Sequence, residues 1–220
     1  MYQFLMDISV NMYEVIAMFA IMLASFRFSL IGNLKYAFIA AIVMAQTSYL
    51  LRFVFNEDSI TPLFMLLWFI IFLWLLFRIH PFYALLMTVT GYLSYLIVQS
   101  FILLVLQLSL DMQDIVSSFL NAKLIQIAGS TVTLGIAYWL LQRRIGFSFV
   151  PDRSDIKVDF SGLNLILLAV SLVACLFITG GVYLFVNLNF LYSTLSIICL
   201  LCVISILLIL KFAFKKEMIS

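Results

Sequence analysis

The chain has 220 residues, of which 66% are hydrophobic and only 10% are charged. Soluble domains are about half apolar and about a quarter charged, so this composition excludes an ordinary soluble protein and indicates an integral membrane protein. The mean hydropathy of +1.23 agrees with that assignment, and with a net charge of only +2 no nucleic-acid partner is expected.

Seven apolar stretches approach or exceed the roughly 20 residues that a helix needs to cross a bilayer. The sequence therefore predicts an all-α, polytopic transmembrane helical bundle of about seven spans, with the whole chain 1–220 as a single transmembrane domain. A hydrophilic segment at 142–162 is predicted to be a cytoplasmic loop. The predicted spans cover approximately 8–27, 35–55, 61–78, 82–107, 115–141, 163–186 and 189–211.

The third predicted span is the shortest, and it meets the fourth in a tight turn between Arg78 and Pro81. These two spans could instead form a re-entrant pair, which would leave five spans with the same orientation. The last two spans must fold back on each other, because as one helix they would be about 70 Å long. Seven spans remain the preferred prediction.

The basic residues lie mainly on one side of the predicted bundle. With the C-terminus inside, the cytoplasmic ends hold most of the 12 basic residues, whereas the outer side keeps Arg52 and Lys123. Basic residues concentrate on the cytoplasmic side of membrane proteins, so the N-terminus is predicted outside and the C-terminus in the cytoplasm. The predicted localisation is the cell (inner) membrane. The acidic residues on the predicted outer side are Asp7, Glu14, Glu57, Asp58, Asp111 and Asp114.

The sequence lacks the common catalytic and cofactor-binding motifs. It contains no zinc-protease, nucleophile-elbow, phosphate-binding-loop or dinucleotide-binding pattern. All three cysteines lie in the last two predicted spans, away from the single histidine, His80, so no Cys–His nucleophile pair is expected. We therefore predict no enzymatic activity, no catalytic residue, no metal site and no cofactor.

The fifth predicted span carries polar residues where a membrane helix is normally apolar. Lys123 and Gln126 are three residues apart and share a helix face in the outer half of this span. Lys123 and Arg52 could pair with Glu14 or loop acids and hold helices in register, or Lys123 could extend to the outer interface. Alternatively, they line an outward-open pocket with apolar walls for a small amphipathic ligand or short hydrophobic peptide. The candidate ligand-binding residues are Lys123, Arg52, Glu14, Gln126, Gln46 and Gln99.

The second to fourth spans resemble the membrane sensor module of Agr-type peptide-pheromone receptor histidine kinases. The features that carry the resemblance are the Leu34-Lys35-Tyr36 entry, the acidic loop Asn56-Glu57-Asp58, the short third span, and the basic turn at Arg78. The resemblance implies binding of a secreted peptide from outside, dimerisation, and control of a cytoplasmic kinase. These 220 residues contain no phosphoacceptor region and no ATP-binding motif, so it implies only the sensing half.

The predicted function is that of a bacterial membrane module that senses an extracellular peptide or small amphipathic ligand and signals through a partner. The expected partners are membrane lipid, a second copy of the chain, and a kinase or transporter. Two alternatives stay open: a substrate-binding or accessory subunit of a membrane transporter, and a membrane protein of the bacteriocin-immunity type.

Overall fold

A computed structural model describes residues 2–57, 59–108, 119–151, 158, 162–187 and 192–218. All regular structure in these residues is helical, which confirms the predicted all-α bundle. A π-helical turn over Leu50–Val54 extends the second helix. The helices in chain order are α1 (Tyr2–Ser25), α2 (Leu30–Tyr49), α3 (Thr61–Leu75), α4 (Pro81–Leu106), α5 (Phe119–Arg143), α6 (Gly162–Asn187) and α7 (Tyr192–Glu217).

Six of the described helices are long and apolar enough to cross a bilayer, as expected of a multi-pass membrane protein. The exception is α3, whose 15 residues extend only about 22 Å at 1.5 Å per residue. The first helix begins at Tyr2 rather than at residue 8, which brings Asp7 inside it. The predicted starts of the fifth and seventh spans, and part of the predicted loop, lie outside the described residues.

The core of the bundle lies between α1 and α4. Helix α4 packs against α1, α3, α5, α6 and α7, whereas the extensive described contacts of α5 are with α1 and α4. Phe19 of α1 is fully buried, and its ring meets the ring of Phe69 of α3 edge-on at 4.9 Å. Helix α5 is therefore peripheral, so a polar residue on it is buried only if it faces α1 or α4.

Small residues let α1 approach its neighbours closely. Ala20 and Ala24 of α1 pack with Ala137 of α5, and all three are buried. On another side of α1, a Cβ placed on Gly91 of α4 would lie only 3.2 Å from the Cα of Met22. Close approach through small residues is the usual way in which helices associate within lipid.

The helices alternate in direction, so the charged residues separate to two ends of the bundle. The start of α1 meets the end of α2, where the rings of Phe4 and Tyr49 lie 4.7 Å apart. At the opposite end, Lys216 of α7 contacts Tyr83 at the start of α4. We define the acidic end by Asp7, Glu14 and Glu57, and the basic end by Arg27, Lys35, Arg78, Arg143, Arg144, Lys211, Lys215 and Lys216.

Helices α1 and α5 both end in a left-handed residue at the basic end, and in both that residue is arginine. Arg27 has φ 57° and Arg144 has φ 54°. The N–H of Phe28 then donates to the carbonyl of Leu23 at 3.0 Å, and the equivalent hydrogen bond closes α5. Glycine is the usual residue in this position, because the left-handed conformation costs other residues about 1–2 kcal/mol.

Candidate functional site: a buried polar network at the acidic end

Three polar side chains of α1 lie on one face near the acidic end. Asp7, Asn11 and Glu14 are separated by four and then three residues, which places them on the same side of the helix. Helix α5 packs against this side and brings Lys123 and Gln126 opposite them. We call these five residues the polar network.

Lys123 lies at the centre of the polar network. Its Nζ is 2.5 Å from Oδ1 of Asp7 and donates to Oδ1 of Asn11 at 3.3 Å. It also donates to Oε1 of Gln126 at 3.0 Å. Lys123 and Asp7 are only 5% and 2% exposed, so the ion pair is enclosed between the two helices. All three donors of the ammonium group therefore have protein acceptors.

Gln126 connects this ion pair to Glu14. Its Nε2 donates to Oδ1 of Asn11 at 2.9 Å and also to Oε2 of Glu14. Asn11 in turn donates through Nδ2 to Oδ2 of Asp7 at 2.9 Å. The hydrogen bonds thus run without a break from Asp7 to Glu14, about 10 Å along the axis of α1.

The arrangement favours the interpretation that Lys123 pairs with an acidic residue and holds helices together, but the acidic residue differs from the predicted one. Charged groups in hydrocarbon are expensive, and such residues face the bundle interior and pair with one another. Lys123 does so, but its partner is Asp7 rather than Glu14. The ammonium group of Lys123 lies between α1 and α5, where Asp7, Asn11 and Gln126 bind it. The predicted loop partners Asp58, Asp111 and Asp114 lie outside the described residues.

Glu14 also faces a small recess at the acidic end. This recess has a volume of about 50 Å³ and lies among α1, α2, α3 and α4. Arg52 and Tyr92 line it together with Glu14. Arg52 is half-buried and forms no ion pair or hydrogen bond with any residue that the structure describes. Arg52 therefore forms no direct ion pair with a described carboxylate, in contrast to Lys123.

Two polar groups of α4 lie beside the polar network. The buried hydroxyl of Tyr95 has Glu14 and Ser130 as polar neighbours, although neither contact has the geometry of a full hydrogen bond. The Gln99 side chain occupies the space over Gly129 of α5, and its Oε1 has no hydrogen-bond partner in the described part of the chain. Since buried polar groups are nearly always satisfied, both groups can take part in a rearranged network.

Among the six candidate ligand-binding residues, Gln46 lies apart from the others. It is exposed on α2 and lines neither the polar network nor the recess. The sequence prediction missed two members of the network, Asp7 and Asn11. It began the first span after Asp7, although the spacing of Asp7, Asn11 and Glu14 is itself the signal for a polar helix face. A ligand-binding role for all six candidates stays a prediction.

A much larger cavity lies toward the basic end. It measures about 510 Å³ and is bounded by α5 and α7, with α4 and α1 beneath it. Its walls are mainly apolar, with Ile136 of α5 facing Leu210 of α7, and Arg27 and Arg144 lie at one end. The apolar-walled pocket around Lys123 stays a prediction, and this cavity lies at the opposite end of the bundle.

The chain after α5 is bound to α7 by Glu217. The carboxylate of Glu217 accepts hydrogen bonds from the N–H of Ser148 at 2.9 Å and from the N–H of Phe149 at 3.2 Å. The N–H of Phe147 donates to the carbonyl of Ser25 at 2.9 Å, which attaches the same segment to α1. The ends of α1, α5 and α7 are thus connected at the basic end.

The chain was compared with known proteins at the level of sequence and of structure. No protein-family model, curated protein or solved structure matches it. The resemblance to the sensor modules of Agr-type receptors stays a prediction, and the function is inferred from the residues of the chain itself.

Proposed function

We propose that the protein is a non-enzymatic membrane module that senses an extracellular ligand at its acidic end. The observation that carries this proposal is the recess lined by Arg52 and Glu14, because hydrogen bonds run from Glu14 through Gln126 to the buried ion pair of Lys123 with Asp7. Polar networks within a membrane are rare and commonly functional. Helix packing alone does not require one, because the same two helices also meet through alanines.

Arg52 is the group that we assign to ligand recognition. Lys123 is already neutralised by Asp7, whereas Arg52 lines the recess without a described carboxylate partner. A guanidinium binds carboxylate or carbonyl oxygens in a fixed planar geometry. The ligand class is therefore a short apolar peptide or small amphipathic molecule with a free carboxylate, and only its polar end needs to enter so small a recess.

Ligand binding beside Glu14 changes the polar network because Glu14 accepts a hydrogen bond from Gln126 of α5. A ligand carboxylate repels the Glu14 carboxylate and displaces it from Gln126, and the hydroxyl of Tyr95, which already lies near Glu14, can then donate to it. Helix α5 shifts relative to α1, and the segment held by Glu217 passes the movement to α7. A partner protein, such as a kinase or a second copy of the chain, would detect the position of α7.

The proposal is tested with synthetic apolar peptides that carry a free C-terminal carboxylate and with their C-amidated counterparts. The full chain is placed in lipid nanodiscs, and its unfolding temperature is measured with each peptide. We expect the carboxylate peptides to stabilise the wild type, and Arg52→Gln to remove that stabilisation. Arg78→Gln is the matched control, since it removes an exposed arginine at the basic end. Equal stabilisation of wild type and Arg52→Gln, or none in the wild type, would refute the proposal.

The proposed orientation, with the acidic end outside, follows from the placement of the basic residues. Single cysteines at Ser59 and Ser154, in a variant that lacks Cys175, Cys199 and Cys202, are treated in whole cells with an impermeant maleimide. Ser59→Cys is expected to react from outside, and Ser154→Cys only after the membrane is opened. The reverse pattern would place the recess in the cytoplasm and contradict extracellular sensing.

A further inference from the structure

The cavity at the basic end has the form of a groove between two helices that do not close on each other. In the described part of the chain, α5 and α7 both pack against α4 but share no extensive contact. The groove wall residues Ile136 and Phe214 are 38% and 60% exposed, so the groove opens at the outer surface of the bundle. In a membrane protein that surface faces lipid, and a lipid chain can therefore enter from the side.

The interior of the groove suits an acyl chain. Its volume of about 510 Å³ lies within the range of about 300–1,000 Å³ that is typical of sites for small molecules. The walls are formed by aliphatic and aromatic side chains of α5 and α7, including Leu140 and Leu210. The hydroxyls of Thr90 and Ser94 along its floor donate to carbonyls of their own helix, so they leave no unsatisfied donor for a polar ligand.

One end of the groove is cationic. Arg27 and Arg144 both line it, and both also line a smaller recess that adjoins it at the basic end. Both side chains are exposed at the helix ends, where lipid headgroups lie. Glu217 interacts electrostatically with Arg27 while its carboxylate accepts hydrogen bonds from the N–H groups of Ser148 and Phe149. Neither Arg27 nor Arg144 forms a direct ion pair with a carboxylate in the described part of the chain, so both guanidinium groups can contact an anion at this end.

Arg27 and Arg144 share their backbone conformation with a third arginine, Arg78. Each occupies the left-handed position that closes its helix, where glycine is the usual residue. Arg78 has the same exposure and a similar φ of 56°, but it does not line the groove. It is consequently an internal control for any effect of arginine in this conformation.

We propose that the groove between α5 and α7 binds one anionic phospholipid, with an acyl chain along α4 and its phosphate between Arg27 and Arg144. A guanidinium pairs with phosphate through two parallel hydrogen bonds, and basic pockets between membrane helices are suited to anionic headgroups. This site is independent of the recess at Arg52, which lies at the opposite end of the bundle.

The test measures the selectivity of the protein for phosphatidylglycerol over phosphatidylcholine. The full chain is reconstituted in phosphatidylcholine vesicles, and the motionally restricted fraction of each spin-labelled lipid is recorded. We expect phosphatidylglycerol to be preferred, and Arg27→Gln and Arg144→Gln each to lower that preference about fivefold, since a basic side chain at a lipid surface contributes about 1 kcal/mol. Arg78→Gln should leave it unchanged. An equal effect of all three variants would overturn the proposal.

Two tryptophan variants on α5 test whether an acyl chain occupies the groove. Ile136→Trp fills the groove, whereas Val132→Trp places the same ring on an exposed position one turn earlier that does not line it. We expect only Ile136→Trp to reduce the restricted fraction of phosphatidylglycerol. Inorganic phosphate should not displace the lipid. Displacement by phosphate, or equal effects of the two tryptophans, would show a headgroup site without a bound chain and so refute the lipid groove.

Discussion

The two ends of the bundle handle charge in opposite ways. At the acidic end, Lys123 and Asp7 are buried, paired with each other and surrounded by amide groups. At the basic end, Arg27 and Arg144 are exposed beside an apolar groove. A buried pair needs all its partners within the protein, whereas an exposed cation at a membrane surface finds water or lipid. This difference is the basis of the two proposals, ligand sensing at the acidic end and lipid binding at the basic end.

The difference also appears in how α5 is held along its length. Near its start, α5 joins α1 through the polar network. Further along, the two helices meet through Ala24 and Ala137, which provide close packing but no directional bonds. Hydrogen bonds fix the rotation and register of a helix, while small residues allow two helices to approach closely. The polar network therefore determines the register of α5 on α1, and the alanine contacts determine how closely the two helices pack.

The largest expected effect comes from breaking the ion pair. Lys123→Met or Asp7→Leu leaves one buried charge without its partner, and we expect each to lower the free energy of unfolding by about 3–5 kcal/mol. The double variant Asp7→Leu with Lys123→Met removes both charges and should recover most of that loss. The measurement is reversible unfolding in mixed micelles.

Lys35→Met is the control for this pair, because Lys35 is an exposed lysine at the basic end. We expect Lys35→Met to change the free energy of unfolding by no more than about 0.5 kcal/mol. If Lys123→Met were as mild as Lys35→Met, the buried network would not be a determinant of stability, and the contrast between the two ends would fail.

A smaller effect is expected where α4 meets α1 between the two ends. Gly91→Ala places a Cβ against Met22, whose Cα would be 3.2 Å away, so we expect a loss of about 1–3 kcal/mol from overpacking. Gly135→Ala is the matched change on α5, where a Cβ meets nothing within 4 Å. It should be neutral or stabilising by up to about 1 kcal/mol through helix propensity. Equal unfolding free energies for the two variants would contradict tight packing at Gly91.

The smallest effect on overall stability is expected at the exposed basic end. Glu217→Gln weakens the acceptor for the N–H groups of Ser148 and Phe149, and their hydrogen exchange should become faster while the unfolding temperature changes little. Lys215→Gln, two residues earlier and exposed, should leave that exchange unchanged. Unchanged exchange in Glu217→Gln would remove the proposed connection between α5 and α7.

Much of the fold could be predicted because hydrophobic length is a local property of the sequence. The all-α bundle is confirmed, and the predicted bounds of the fourth and sixth spans differ from α4 and α6 by one residue at each end. Boundaries marked by polar residues were less accurate. In the sequence, Asp7 marks the end of an apolar stretch, so the first span was predicted to begin after it. Asp7 nevertheless lies within α1, because its charge is neutralised by Lys123, which is distant in the chain.

The sequence alone determined that this chain is a helical membrane protein, that its charges divide between two ends, and that Lys123 and Gln126 share one helix face. Those properties depend on composition and on helical periodicity, which need no knowledge of neighbours. Only the tertiary structure decided that Asp7 is the partner of Lys123 and that Arg52 has no carboxylate partner among the described residues. It also decided that the large apolar groove lies beside Arg27 and Arg144. Pairing and cavity shape arise from the contact of helices that are far apart in sequence, and no local pattern specifies which faces meet.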